Sequence, residues 1–244
     1  MHLMLVNDDG IHAPGIRALC AAAAAAGHRV SLCAPSREQS GASHSMSFWS
    51  QLRPEKIDVP GAEAAYAVDA TPATCARFGL YLIPGVDFVL SGINDGANMG
   101  GACVYSGTVS AAIEASMSGV QAMAVSLRAP NGGEFGAAAQ VALRVLEYAR
   151  EHPLPRGCAY NLNVPALPYA EIRGVRAASI APTYLDSPAY RRAGDGAYLY
   201  VHGEESEPLP PGCDKRLVQE GWAALTKLTW NLQMNAPDPD GIAL

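Results

Sequence analysis

Apolar residues 3–6 run unbroken into Asn7, Asp8, Asp9 and Gly10, which predicts a buried strand ending in a polar turn. Behind it, Ile16, Leu19, Cys20 and Ala23 recur at helical spacing from Pro14-Gly15 onward, and Gly27 supplies the stop. Residues 28–34 form a second apolar strand closed by Pro35. Strand, helix and strand in this order make a right-handed unit with parallel strands. Residues 36–45 are small and polar. Their composition reads as a flexible solvated loop, and their place beyond a strand reads as a ligand-binding loop. Extended pieces at 57–59 and 65–68 flank Pro60-Gly61 and predict a hairpin or meander. Thr71 and Pro72 stand as N-cap and first residue of a helix reaching about Leu82.

The second half repeats the alternation. Residues 86–90 predict a strongly buried strand, followed by a glycine-rich turn over 91–101. Tyr105, Ser106, Gly107 and Thr108 open a helix with Val109, Ala112, Ile113 and Met117 on one face. A strand over 121–126, a long amphipathic helix over 135–150, and a strand over 159–164 carrying Asn161 and Asn163 complete the series. The pattern predicts a doubly wound, mostly parallel, Rossmann-like α/β sheet. After residue 170 the character shifts to short extended segments at 175–180, 197–202 and 222–228, with aromatic residues gathered late. Such segments serve equally as a β-arm for assembly or as edge strands on the parent sheet.

Composition narrows the function classes. Of 244 residues, 49% are hydrophobic and 16% charged, enough apolar surface for a large core and too little charge for general disorder. The net charge of -6, with no basic run, excludes wrapping a long nucleic acid. Six cysteines form no Cys-x-x-Cys pair and no zinc spacing, so reduced thiols in a cytoplasmic protein are expected. Neither a leader nor a membrane span is expected, because the start runs straight into a strand and no apolar stretch reaches about 18 residues.

The candidate chemistry gathers beyond the predicted strand ends. Asp8 and Asp9 side by side repel each other and lose solvation unless a positive partner sits between them. A divalent cation is the simplest partner, although Asn, Asp and Gly also make an ordinary turn. Asn94 leaves another core strand where its amide oxygen would meet the same cation. The helix opening at Ser106, Gly107 and Thr108 offers N–H groups to a phosphate, with Asn98 assisting, though Ser106 alone also serves as a cap. Gly92, Gly96 and Gly100 do not make the dinucleotide fingerprint, which counts against a nicotinamide enzyme. His12 and His44 sit in polar stretches, where a histidine is more often solvated than catalytic.

Taken together, these motifs resemble the SurE family of metal-dependent nucleotidases. The resemblance rests on Asn7-Asp8-Asp9-Gly10 with Gly15-Ile16, Ser40-Gly41-x-Ser43, Thr71-Pro72-Ala73-x-Cys75, Ser91-Gly92-Ile93-Asn94 with Gly96 and Asn98, Tyr105-Ser106-Gly107-Thr108 before Ala111-Ala112, and Gly221-Trp222 before Leu225-Thr226-x-Leu228. It implies one α/β phosphatase domain over residues 1–244, hydrolysing nucleoside 5′- and 3′-monophosphates with one Mg²⁺ or Mn²⁺ per subunit. It places Asp8, Asp9, Ser40 and Asn94 on the metal, with Asp8 and Asp9 as the catalytic pair. It also implies a homodimer or homotetramer that exchanges a β-hairpin arm at about 180–205. The sequence departs from the family at Ser36 and Glu38, where an acid and an amide are usual, at Thr74, usually an aspartate, and in the arm, which lacks the Pro-Arg-Gly-Arg run. Metal-activated water and an aspartyl-phosphate both stand as routes at this stage. A phosphatase of other small phosphoesters or short polyphosphate, and a non-catalytic Mg²⁺-nucleotide sensor, are the alternatives on the same fold.

Overall fold

A computed structural model describes residues 1–128, 134–183, 190–200 and 208–231. The first strand, β1 (His2–Val6), is buried along its whole length. It lies mid-sheet between β2 (Arg29–Pro35) and β5 (Phe88–Asp95), parallel to both. A strand covered on both faces has no solvent side, which is why its sequence is continuously apolar instead of alternating.

Among the described residues nine strands share one sheet, in the order β3 (Glu55–Ile57), β4 (Ala64–Val68), β2, β1, β5, β6 (Gln121–Arg128), β7 (Cys158–Pro165), β11 (Ala223–Thr229) and β8 (Val175–Ala177). From β4 (Ala64–Val68) through β6 (Gln121–Arg128) to β7 (Cys158–Pro165) every neighbouring pair is parallel. Helices α1 (Pro14–Ala25) and α4 (Phe135–Glu151) cover one face, packing Ile16, Leu19, Ala138 and Leu146 into a core with Leu3, Leu5 and Leu90. Helices α2 (Pro72–Leu82) and α3 (Gly107–Met117) cover the other, where Cys75, Val109 and Ala112 meet Met4, Val6 and Val89. The doubly wound sheet expected from the alternation is the observed one.

The local expectations resolve in detail. The hairpin around Pro60-Gly61 is β3 (Glu55–Ile57) antiparallel to β4. Thr71 occupies the N-cap position of α2, but its hydroxyl donates to the carbonyl of Ser45 at 2.7 Å instead of capping the helix. Of the late segments, β11 (Ala223–Thr229) joins the main sheet antiparallel to β7, and β8 (Val175–Ala177) follows it in parallel. Both belong to the parent sheet, with β8 at its edge. Short helix α5 (Asp214–Gln219) packs beside them. The expected arm is represented by β9 (Tyr190–Arg192) antiparallel to β10 (Tyr198–Tyr200); its residues 184–189 and 201–205 lie outside the described residues. Among the described residues no helix is long and apolar enough to cross a membrane.

Two features of this topology position the site. The chain leaves β1 toward β2 on one side and returns through β5 on the other, so the carboxyl ends of β1 and β5 bound a switch-point crevice, where open α/β sheets bind ligands. In addition, β5 carries one extra residue against β6: Ser91 pairs with Ala124, yet Asn94 pairs with Ser126. This bulge re-aims the end of the strand. It needs Gly92, whose φ is +135° and where a Cβ would stand 2.2 Å from the Val125 carbonyl oxygen. Gly92→Ala is therefore expected to cost about 1–3 kcal/mol. A lower urea midpoint at unchanged slope checks this, and a wild-type midpoint would refute it.

Candidate active site

The turn after β1 closes on itself, with the buried Asn7 Nδ2 donating to the Gly10 carbonyl at 2.8 Å. That leaves the next two residues at the mouth of the crevice. Asp8 is 4% exposed. Its Oδ2 accepts from the Thr108 N–H at 3.1 Å, and its Oδ1 from the Thr108 hydroxyl in a short bond. The opening turn of α3 is thus bound to a carboxylate of the protein itself. Gly107 permits the approach, because a Cβ there would lie 2.8 Å from the Asp8 Cβ and 2.9 Å from Pro72.

Burial pushes the Asp8 carboxyl above its ordinary value, and the Thr108 hydroxyl and N–H pull against that rise. Asp9 is pushed up to about 6, by burial first and by the charge of Asp8 second, with Asp95 and Glu38 adding to the repulsion. Its Oδ2 accepts from the Asp95 N–H at 3.2 Å. Among the described residues no Lys, Arg or His forms an ion pair with either carboxylate.

Asn94 stands at the end of β5, beyond the bulge. Its Nδ2 donates to the Gly96 carbonyl at 2.7 Å, which leaves Oδ1 as the end of the amide that can meet a cation. Ser40 arrives on the 36–46 segment, which is strapped down at several points. The Gln39 N–H donates to the Asp8 carbonyl at 2.7 Å, Ser43 N–H to the Tyr105 carbonyl at 3.0 Å, and Ser43 Oγ to the Val104 carbonyl at 2.7 Å. The Ser40 hydroxyl is exposed and donates to Glu38 Oε1 at 2.8 Å, so its lone pairs remain free. Glu38 is one of the departures from the family, and here it both accepts the Ser40 hydrogen bond and adds negative charge beside Asp9.

These donors are all hard oxygens, and they suit a divalent cation of the Mg²⁺ type. No group of three His, Cys, Asp or Glu among the described residues could hold a metal by itself. The neutral oxygens of Ser40 and Asn94 are what would complete the two carboxylates.

The remaining candidate residues are bonded within the protein, Ser106 in the capping role its type also allows. Ser106 is the N-cap of α3, its Oγ accepting from the Val109 N–H at 3.1 Å. Thr108 has both donors committed to Asp8, because a buried carboxylate requires them. Asn98 is buried, with Nδ2 donating to Ser126 Oγ at 2.8 Å. Its backbone is clamped as well: its N–H donates to Asn163 Oδ1 at 2.8 Å, and its carbonyl accepts from Asn161 and Asn163, each at 3.0 Å. His12 lies outside, 3.2 Å from Arg17. His44 Nε2 is 2.8 Å from Glu114 Oε2, and the other oxygen of that buried carboxylate accepts from Arg77. Ser126, Asn161, Asn163 and Glu114 were not singled out by sequence for these roles. Their signal was present as polar residues inside otherwise apolar segments, with Asn161 and Asn163 two apart on one face of β7.

The raised Asp9 carboxyl has a consequence for stability. A folded-state pKa above the unfolded one contributes stability that is full below about pH 4 and lost as the pH rises through about 6. At pH 8 and without metal, Asp9→Asn should therefore raise Tm by about 2–4 °C. The gap should narrow as the pH falls through about 6 and close near pH 4, and Mg²⁺ should raise the wild-type Tm and not the variant's. Scanning calorimetry at both pH values checks the sign; a variant less stable at pH 8 would refute it.

Comparisons with known proteins point the same way. The family described as Survival protein SurE matches residues 3–186. The chain is 40% identical over 236 residues to a 5'-nucleotidase SurE from Synechococcus sp. (strain JA-3-3Ab), covering 93% of this chain and 91% of that relative. It is 39% identical over 241 residues to a 5'-nucleotidase SurE from Gloeobacter violaceus, covering 95% and 91%. Among solved structures, the SurE protein from Aquifex aeolicus superposes with a TM-score of 0.82 at 33% identity, over 96% of this chain and 95% of that one. The match spans β1, the strap, β5 and the start of α3, which together build the crevice, and on that ground the chain belongs to the SurE family.

Proposed function

We propose that this chain is a metal-dependent phosphomonoesterase that hydrolyses nucleoside 5′-monophosphates, and 3′-monophosphates with them, to nucleoside and phosphate. The observation that carries the reading is the pair Asp8 and Asp9, held at the switch point without a basic partner among the described residues and facing the start of α3. Relatives bearing the name 5'-nucleotidase SurE support the reaction class.

One Mg²⁺ or Mn²⁺ per subunit would be held by Asp8, Asp9, Ser40 and Asn94. When bound, it supplies charge neutralisation for the phosphoryl oxygens. The protein's own share is positioning, which dominates phosphoryl transfer. Thr108 holds Asp8 against the crevice wall through both oxygens. Those bonds leave Asp8 poorly placed to attack phosphorus, which favours water as the nucleophile, with Asp9 to orient it; trapped phosphate on the protein after acid quench would point to Asp9 instead. Ser106 accepts from Val109 and keeps its own O–H for a phosphate oxygen. Gly107 and Thr108 add the partial positive charge of the helix start, and Asn98 sets the loop behind them.

The arm, of which β9 and β10 are the described part, joins subunits into a homodimer or homotetramer. Six free cysteines suit a reducing cytoplasm.

The test is phosphate release from a panel of nucleoside monophosphates with and without Mg²⁺ or Mn²⁺. Wild type is expected to require the metal. Asp9→Asn, folded as judged by circular dichroism, should lose about 10²-fold or more, the scale on which removing one electrostatic stabiliser acts. Tight nucleotide binding with no release under either metal would replace the phosphatase by the nucleotide sensor.

A further inference from the structure

We propose that Asp214, at the start of α5, is a positioning residue for the loop that carries the phosphate-facing wall. The proposal rests on the reading above, in which Ser106–Thr108 form that wall and Asn98 sets the loop behind it. Asp214 is 0% exposed, and nothing in the reaction uses its carboxylate. Its Oδ2 accepts from the Gly100 N–H at 2.9 Å. Its Oδ1 accepts from the Ala181 N–H at 2.9 Å and from its own helix at the Lys215 N–H, 2.8 Å away. Its own N–H is in turn fixed on the Ser179 carbonyl at 2.9 Å.

Gly100 opens the short 3-10 turn Gly100–Val104, which bridges Asn98 and Ser106. On one side of it, Asn98 is clamped by Asn161 and Asn163. On the other, the Tyr105 carbonyl receives the strap that brings Ser40, and Ser106 caps α3. The Asp214 bond thus enters at the middle of the span, between the clamp and the cap. A second tie runs beside it, the Gly101 N–H donating to the Thr183 carbonyl at 2.7 Å. Residues 179–183 lead toward the arm, so one buried carboxylate joins the phosphate-side loop, the base of the arm and α5.

The geometry explains why the residue is an acid. Three N–H donors converge on two oxygens, and a carboxylate has acceptor capacity for all of them. An asparagine has one acceptor oxygen and would turn an NH₂ group onto Gly100 or onto Ala181 and Lys215. A buried donor left facing a donor loosens the tie. Asp214→Asn keeps the volume and removes one half of the cross-link.

The experiment compares Asp214→Asn with wild type and with Gly79→Ala. The latter is a packing control whose Cβ would meet the Cβ of Cys33 at 2.6 Å, away from the loop. Inorganic phosphate binding in the presence of Mn²⁺, Mn²⁺ affinity alone, and kcat/KM are read for each. Asp214→Asn should weaken phosphate binding about tenfold and lower kcat/KM by at least as much. Mn²⁺ affinity should stay within about twofold, since no metal donor is touched. Gly79→Ala should lose stability and keep the wild-type phosphate affinity. Wild-type phosphate affinity in folded Asp214→Asn, or an equal loss in Gly79→Ala, overturns the proposal. Hydrogen exchange on the wild type gives an independent reading should the variant not fold. The amides of Gly100, Ala181 and Lys215 should open together because they rest on one carboxylate, and a Gly100 amide exchanging orders of magnitude faster than Ala181 overturns it. Because phosphate binding and exchange need no turnover, they judge Asp214 even if nucleoside monophosphates are not hydrolysed.

Discussion

The clasp between Asp8 and Thr108 is the interaction on which the site depends. It joins the end of the first strand to the start of a helix 100 residues later, through one hydroxyl and one backbone N–H on the two oxygens of one carboxylate. A buried carboxylate is costly unless donors surround it, and a helix start leaves donors unpaired unless an anion meets them. Each solves the other's problem. The close approach works because Gly107 has no side chain to hold β1 and α3 apart.

What the clasp does not neutralise is the second acid. Asp9 sits beside Asp8, Asp95 and Glu38 with only one backbone N–H given to it, and its carboxyl rises accordingly. A protein selected for stability alone would place a cation or an amide there. Under the proposed function, this excess of negative charge is left for a ligand to resolve instead of the fold. Glu38 sharpens it. At a position where the family usually carries an amide, it accepts the Ser40 hydrogen bond and deepens the negative field.

Around that charged centre the loops are fixed by buried polar side chains. Asn161 and Asn163 hold the turn at Asn98, Glu114 holds His44 and Arg77, and Asp214 gathers three backbone N–H groups. Each is a side chain satisfying main-chain or loop groups that no sheet ladder can reach. The loop 96–104 packs Met99 and Ala97 into a small cluster with Leu217 and Val218, and directional bonds fix the small residues around them.

The sequence by itself determined the layout: the strands and helices of the doubly wound sheet, the acid pair beyond β1, Asn94 beyond β5, and the helix opening at Ser106. These are legible because they follow from short-range rules, namely apolar periodicity, helix start and stop signals, and the placement of polar turns after buried strands. Tertiary structure alone decided how those residues are used. Thr108 and Asp8 read separately as a phosphate donor and a metal ligand, and only the fold shows them bonded to each other. The 36–46 segment has the composition of a loose loop, yet two of its N–H groups and the Ser43 hydroxyl donate to the carbonyls of Asp8, Tyr105 and Val104. Asp214 lies 114 residues from the Gly100 it supports. A hydrogen bond between residues so far apart leaves no periodicity in the chain, because its geometry exists only once sheet order and helix packing have brought the two ends together.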